Sequence, residues 1–487
     1  MTKNNLDALF NPENIAVVGA SNNPNKAGYV IINNLLKMEY PKKIFPVNNR
    51  EDEILGLKVY NKLSDIPEKV ELVVLITPSR FIFEIMDDLE IRMQQRNDVK
   101  VLVCAAADFA ETRTKEGIER QNALMTATRK YGIRVVGPNC IGVIDNRNRV
   151  DTTFVETLLP KSSSCNTGGI SFISQSGSIA SSILMLGASQ PVPISFNKFV
   201  SIGNMADVDF IDLLEYFEVD RETKVIGIYL EGYPKARKLL ETMARIVKKK
   251  PIVVLKVGRS EKGAYAANSH TGSLAGADRV YDGSFKQYGI IRVQSIEELM
   301  DTLEAFDNFP IPQNGNMFIL SQAGGPGIIC ADSVSSHNVI NLPAIDSSTK
   351  QKLKEILPPM ASICRPEGYA DITASATVFH HTESLKVLLD DPNVAGLIFI
   401  TVIPTFLPKL ELAEALVDLL VKQGYIRSKP VFTVIMAGNY VRDCRSILEQ
   451  YGIYTFETPD RAVKAAANLI KYGMFLKELR NGGDIDD

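Results

Sequence analysis

Three times along the chain a run of apolar, mostly β-branched residues ends in small residues and glycine, and the pattern then turns helical. The runs are Ile15-Ala16-Val17-Val18-Gly19-Ala20-Ser21, Ile170-Ser171-Phe172-Ile173-Ser174-Gln175-Ser176-Gly177 and Phe318-Ile319-Leu320-Ser321-Gln322-Ala323-Gly324-Gly325. Each reads as the first strand of its own doubly wound module. The last two share a Ser-Gln-small-Gly signature. Further strands are expected at 44–47, 72–76, 101–104 and 133–136, then at 224–230 and 252–257, then at 397–400 and 431–435. Helical periods separate most of them, as over 116–131. Such alternation predicts largely parallel sheets. Loop-type composition marks two linkers, 161–168 and 309–315.

Composition fits this picture. At 487 residues the chain has room for roughly three domains, and 45% hydrophobic with 23% charged residues is a globular balance. The net charge is -3 and no long basic run exists, so nucleic acid is not an expected partner. Lys248-Lys249-Lys250 reads as a charged helix end. The six cysteines form no CxxC pair, and their spacing suggests no metal site. A reducing cytoplasm is expected. The first residues lack the apolar core of a signal peptide, and no stretch approaches the roughly 20 apolar residues that cross a bilayer, so no membrane partner is expected.

In open α/β sheets ligands gather at the carboxyl ends of strands, where a helix N-terminus offers free N–H groups to an anion. Gly19, Ser174 to Gly177 and Gly324-Gly325 are expected at such places. The first turn, Gly19-Ala20-Ser21-Asn22-Asn23-Pro24, is not GxGxxG. A nicotinamide site also wants a carboxylate at the end of the second strand, which reads Pro46-Val47-Asn48-Asn49-Arg50. Lys26 and Arg50 supply positive charge instead. A nucleotide with extra phosphate, such as coenzyme A, fits better than NAD; a tight turn that binds nothing stays equally open on this motif alone.

The four histidines are His270, His337, His380 and His381. The last three read as surface or packing residues. His270 sits in Asn268-Ser269-His270-Thr271-Gly272-Ser273-Leu274-Ala275-Gly276, among small residues, after a strand ending in Gly258-Arg259-Ser260. Imidazole is a competent nucleophile near neutral pH. A nucleophile on such a loop can take a phosphoryl group in one place and deliver it in another. A loop histidine without chemistry fits the local sequence as well. Glu231 closes the strand at 224–230, where a carboxylate can orient an imidazole or merely start a helix.

Taken in order, the motifs resemble the NDP-forming acyl-CoA synthetases, the ADP-forming acetate–CoA ligase group of the succinyl-CoA synthetase superfamily. They are Gly19-Ala20-Ser21 with Lys26-Ala27-Gly28, Pro46-Val47-Asn48, Gly137-Pro138-Asn139-Cys140-Ile141-Gly142, Ser174-Gln175-Ser176-Gly177, Ser201-Ile202-Gly203-Asn204, Tyr229-Leu230-Glu231-Gly232 and Ser269-His270-Thr271-Gly272-Ser273. The resemblance runs from about Leu9 to Gly473. It implies an α/β fold of three doubly wound modules: a Rossmann-like CoA-binding domain over 1–150, a flavodoxin-like ligase–CoA domain with a phosphohistidine loop over 151–308, a third flavodoxin-like domain over 309–475, and a tail over 476–487. It implies that His270 becomes phosphorylated and that Glu231 steadies it. Gly19, Ser21, Lys26, Val47, Asn48, Arg50, Thr77, Pro78 and Asn139 would lie near CoA. Ser174, Gln175, Ser176, Gly177, Thr271 and Gly272 would cradle phosphate.

Three departures stand against the family pattern. A small-Gly-Phe turn reads Ala107-Asp108-Phe109, placing a carboxylate near the ligand mouth. Asn-Pro-x-Asp in the third module reads Gly368-Tyr369-Ala370-Asp371, and Pro-Lys reads Asn49-Arg50. The chain leaves no room for a further module of about 200 residues. The resemblance therefore implies a separate ATP-grasp β subunit carrying ATP or ADP and Mg²⁺, with an α2β2 assembly. The expected reaction is acyl-CoA + phosphate + ADP ⇌ a small carboxylic acid + CoA + ATP, through an acyl phosphate and a phosphohistidine. The alternative is a non-catalytic CoA- or acyl-CoA-binding regulatory protein, which Asp108 and the altered third-module turn motivate.

Overall fold

A computed structural model describes residues 6–156, 168–265 and 278–482. The chain forms two compact units: one takes in the chain up to Ser189 together with Pro193–Gln287, the other Gln190–Val192 together with the chain from Tyr288 onward.

The first unit opens with strands Asn14–Val18 (β1) and Lys43–Val47 (β2), a small hairpin of Glu53–Ile54 (β3) and Leu57–Lys58 (β4), and strands Leu72–Leu75 (β5), Val101–Cys104 (β6) and Arg134–Val136 (β7). β2-β1-β5-β6-β7 form one parallel sheet, with Ile15 opposite both Ile44 and Leu72. These strands are near-continuous apolar runs because helices cover both faces. Val18, Phe45, Leu102, Phe109 and Leu124 share one core.

The next strands are Val143–Asp145 (β8), Val150–Asp151 (β9), Ile170–Ser174 (β10), Phe196–Ser201 (β11), Val225–Leu230 (β12) and Ile252–Lys256 (β13). They lie in the order β13-β12-β10-β11-β8-β9. β8 runs antiparallel to β11, and β9 antiparallel to β8. The hydrophobic pattern did not announce β11. It carries Asn197, Lys198 and Ser201, all buried. Asp220 takes up the polar pair: it accepts from Asn197 Nδ2 at 2.8 Å and from Lys198 Nζ at 2.9 Å.

The second unit contains Ile291–Val293 (β14), Met317–Ser321 (β15), Ser362–Ile363 (β16), Tyr369–Asp371 (β17), Gly396–Val402 (β18), Val431–Met436 (β19) and Thr455–Phe456 (β20). One sheet runs β16-β17-β15-β18-β19-β20, parallel except for β16. The last helix covers Pro459–Asn481, so residues 476–481, read as tail from the sequence, are helical. No helix among the described residues is long and apolar enough to cross a membrane.

In each sheet the module's first strand is flanked by its second on one side and its third on the other: β2-β1-β5, β11-β10-β12 and β17-β15-β18. Chain direction away from the first strand reverses there, and such a switch point leaves a crevice outside the carboxyl ends of the strands. The three glycine-bearing turns lie at these three switch points.

Candidate functional site

The turn after β1 is built to let backbone approach backbone. Gly19 has φ +97°, and a Cβ on it would lie 2.8 Å from Thr77 Cγ2. A Cβ on Gly28 would lie 2.1 Å from the Gly19 carbonyl oxygen, so the helix Ala27–Lys37 starts hard against the turn. Gly19 N donates to Val47 O at 3.1 Å, and Asn48 Nδ2 donates to Ala20 O at 2.7 Å. Ser21 is buried and its hydroxyl accepts from Asn23 N. These contacts bring Gly19, Val47, Asn48 and Thr77, with the adjoining Ser21, together at one switch point. Lys26 and Arg50 are exposed beside it, and neither makes an ion pair among the described residues. Pro78, also exposed, precedes the short helical turn Ser79–Phe81.

Asn139 is tied elsewhere. It has φ +58° and its amide donates to Ala106 O. A Cβ on Gly203 would lie 2.6 Å from its carbonyl oxygen. Asn204 N donates to Pro138 O, and Asn204 Nδ2 donates to Glu111 Oε2 at 2.5 Å. Asn139 thus marks where the loop after the first sheet's edge strand β7 meets the turn after β11.

The second switch point is organised by Gln175. Its Oε1 accepts from Glu231 N at 2.9 Å and Gly232 N at 3.2 Å, while its Nε2 donates to Gly232 O at 3.0 Å. One buried side chain thereby fixes the end of β12 to the end of β10. Ser174 Oγ donates to Ser176 O, and Ser176 Oγ accepts from Ile179 N, capping the helix Gly177–Ala188. Glu231 is 6% exposed. The nearby Tyr229 hydroxyl has its pKa raised by burial first and by the Glu231 charge second. Lys256, 1% exposed, donates to the Glu231 carbonyl at 2.8 Å. Lys256 was not singled out from the sequence; a lone charge within the apolar run Ile252 to Val257 was the available signal.

His270, Thr271 and Gly272 lie outside the described residues. The other histidines have structural partners. His337 Nδ1 meets Ser333 O at its helix end, and His380 Nδ1 accepts from Thr377 N. His381 is fully buried, packs edge-on to Phe399, and is pushed down to about 4 by desolvation. Burial pushes Cys140, Cys330 and Cys444 up to about 12, so these thiols are not poised as nucleophiles.

The departures have backbone explanations. Asp108 has φ +68°, a left-handed conformation that glycine takes freely and Asp tolerates. Its side chain is exposed while its carbonyl accepts from Arg120 Nη1 at 3.0 Å. Asp371 Oδ1 accepts from Thr373 N, and its Oδ2 would lie 3.2 Å from a Cβ on Gly324, so it borders the third turn. Arg50 N donates to Asn48 Oδ1, closing the turn that carries Asn49-Arg50.

The chain is similar to known proteins along nearly its whole length. Residues 13–146 match the family model described as a CoA binding domain, and 167–306 match a succinyl-CoA ligase like flavodoxin domain. The α subunit of acetate–CoA ligase [ADP-forming] II from Pyrococcus furiosus is 37% identical over 96% of this chain and 97% of that protein. The acetate–CoA ligase [ADP-forming] of Methanocaldococcus jannaschii is 36% identical over 96% of this chain but 63% of its own length. A solved structure of Ca. Korarchaeum cryptofilum dinucleotide forming acetyl-coenzyme A synthetase 1, in complex with phosphate and ADP, covers 99% of both chains. It has a TM-score of 0.86 at 33% identity.

Proposed function

Because the chain belongs to the ADP-forming acetate–CoA ligase family, we propose that it is the α subunit of an ADP-forming acyl-CoA synthetase acting on a small carboxylic acid. The observation that carries this reading is the Gln175 clasp, which ties the backbone of Glu231, whose side chain is buried, to the turn that leads into the Ser176-capped helix. A helix N-terminus and its free amides suit a phosphate or phosphoryl group.

In the direction that makes ATP, inorganic phosphate attacks the thioester carbon and the CoA thiolate leaves, giving an acyl phosphate. An imidazole nitrogen of His270 then attacks phosphorus, and the carboxylate leaves. The phosphohistidine finally gives its phosphoryl group to ADP. Ser174 to Gly177, with Thr271 and Gly272, hold the phosphate oxygens; Glu231 accepts the imidazole N–H and sets the attacking nitrogen. Catalysis here is positioning and charge stabilisation, as expected of phosphoryl transfer. Gly19, Ser21, Lys26, Val47, Asn48, Arg50, Thr77 and Pro78 would hold CoA, with Asn139 at the junction toward the second sheet. In this reading the domains are 1–150, 151–308 and 309–475.

The nucleotide half is assigned to a partner. The Pyrococcus relative is named as a subunit, and more than a third of the Methanocaldococcus protein lies outside the segment this chain matches. We therefore place ATP or ADP and Mg²⁺ on a separate ATP-grasp β subunit, in an α2β2 assembly in the cytoplasm.

The test is phosphoprotein formation. With labelled ATP, Mg²⁺ and the partner, or with acyl phosphate alone, an acid-labile, base-stable label should appear. It should vanish in His270→Ala and fall in Glu231→Gln. Equal labelling of the His270 variant would remove the phosphohistidine from the mechanism.

A further inference from the structure

The turn after β1 already carries an anion from within the chain. The backbone N–H of Asn22 points at the carboxylate of Glu51, with Oε1 at 3.3 Å and Oε2 at 3.2 Å. The Ser21 hydroxyl donates to the same Oε1 at 3.5 Å. Glu51 is brought there by the hairpin of β3 and β4, which is fastened over the turn. Asn22 Nδ2 donates to Glu53 O at 2.6 Å, and Leu55 N donates to Asn22 Oδ1 at 3.2 Å. The sequence pattern saw no carboxylate at the end of β2, because Glu51 lies three residues beyond Asn48 and folds back.

We propose that Glu51 is an internal occupant of the anion-accepting turn, and that the diphosphate of CoA binds by displacing it. This rests on the assignment of that turn to CoA. The contacts are long and the carboxylate is half-buried, so the internal bond is weak enough to yield. A diphosphate brings more than one negative charge and can engage the exposed Lys26 and Arg50, which the single carboxylate leaves without an ion pair among the described residues. Glu51 therefore competes with ligand phosphate for the turn and weakens CoA binding, while a thiol that brings no phosphate there is unaffected by it. It is an autoinhibitory contact that acts only on the phosphate-bearing part of CoA.

The test is calorimetric titration of the full-length chain, wild type, Glu51→Gln and Glu51→Ala, with CoA and with pantetheine, which lacks the diphosphate. Both variants should bind CoA about fivefold tighter, the scale of losing one competing hydrogen bond. Pantetheine should gain nothing. Unchanged CoA affinity in both variants overturns the proposal, and so does equal tightening of pantetheine. Weaker CoA binding in both variants overturns it too, since Glu51 would then contact the ligand. If the wild type binds no CoA, the assignment of the turn to CoA fails first, which is a different result from wild type and variants binding alike. Glu51→Gln keeps the shape of the side chain, and matching circular dichroism spectra guard against a folding defect.

Discussion

In the second module Gln175 accepts from the amides of Glu231 and Gly232; in the third, Gln322 accepts from the Thr401 hydroxyl at 2.9 Å and the Val402 amide at 3.2 Å. The preceding serines also match, with Ser174 donating to Ser176 O and Ser321 to Ala323 O at 2.7 Å each. In both sheets the clasp joins the first strand to the third at the switch point. The residues around the two clasps differ. The second module ends its third strand on a buried carboxylate and caps its helix with Ser176; the third has Val402 and an uncapped Ala323. The mechanical part of the site and its chemical part are thus encoded separately. The Ser-Gln pair joins the strands, and neighbouring positions decide which side chains stand beside it.

Gln175→Ala should have the largest effect. It leaves two buried amides and one carbonyl without partners, which costs about 3 kcal/mol. It also frees the end of β12, so phosphoprotein labelling should fall by about tenfold or more, the scale on which a misplaced group costs rate. Denaturant unfolding and labelling rate check both parts. Gln322→Ala should cost less, about 2 kcal/mol, because the Val402 amide and the Ala374 carbonyl it serves are only partly buried. If Gln322→Ala destabilises the chain as much as Gln175→Ala, the two clasps are not graded by burial and the comparison breaks.

The clasp was legible as a repeated Ser-Gln-small-Gly signature, but not what it does. A glutamine can bond many partners, and only the parallel pairing of β10 with β12 brings the amides of residues 231 and 232 within its reach. The strands themselves were legible wherever they were apolar runs, as at Ile252 to Lys256. β11 was not, because Asn197 and Lys198 are buried polar residues satisfied by Asp220, more than 20 positions away. Nor were β8 and β9, which are short and antiparallel. Glu231 was legible from its place at a strand end. Lys256 and Glu51 were not, since their meaning depends on contacts with residues about 25 and 30 positions away.

Ser176→Ala removes the cap together with a hydrogen bond between the Ser176 and Ser178 hydroxyls. The Ser176 hydroxyl bonds the Ile179 amide, and losing an N-cap side chain costs about 1 kcal/mol. A shift in the unfolding midpoint of the first unit reads this directly. No shift would mean that solvent replaces the serine at no cost.

The smallest effect is expected from the reverse change, Ala323→Ser. The backbone at Ala323 (φ -132°, ψ 128°) is extended like that at Ser176 (φ -98°, ψ 127°), so a serine fits the cap position. Its natural target is missing. An N-cap side chain bonds the amide two or three residues on, and the third residue on is Pro326, which has no N–H. Ser176 bonds its third residue, Ile179; a serine at 323 would have only the Gly325 amide. Ala323→Ser should therefore stabilise the second unit by no more than about 0.5 kcal/mol, well short of the loss in Ser176→Ala. A gain of about 1 kcal/mol or more would mean that Pro326 does not explain the uncapped helix. Ala323→Ser combined with Pro326→Ala would separate the two causes, since restoring the amide should then let the new serine act as Ser176 does.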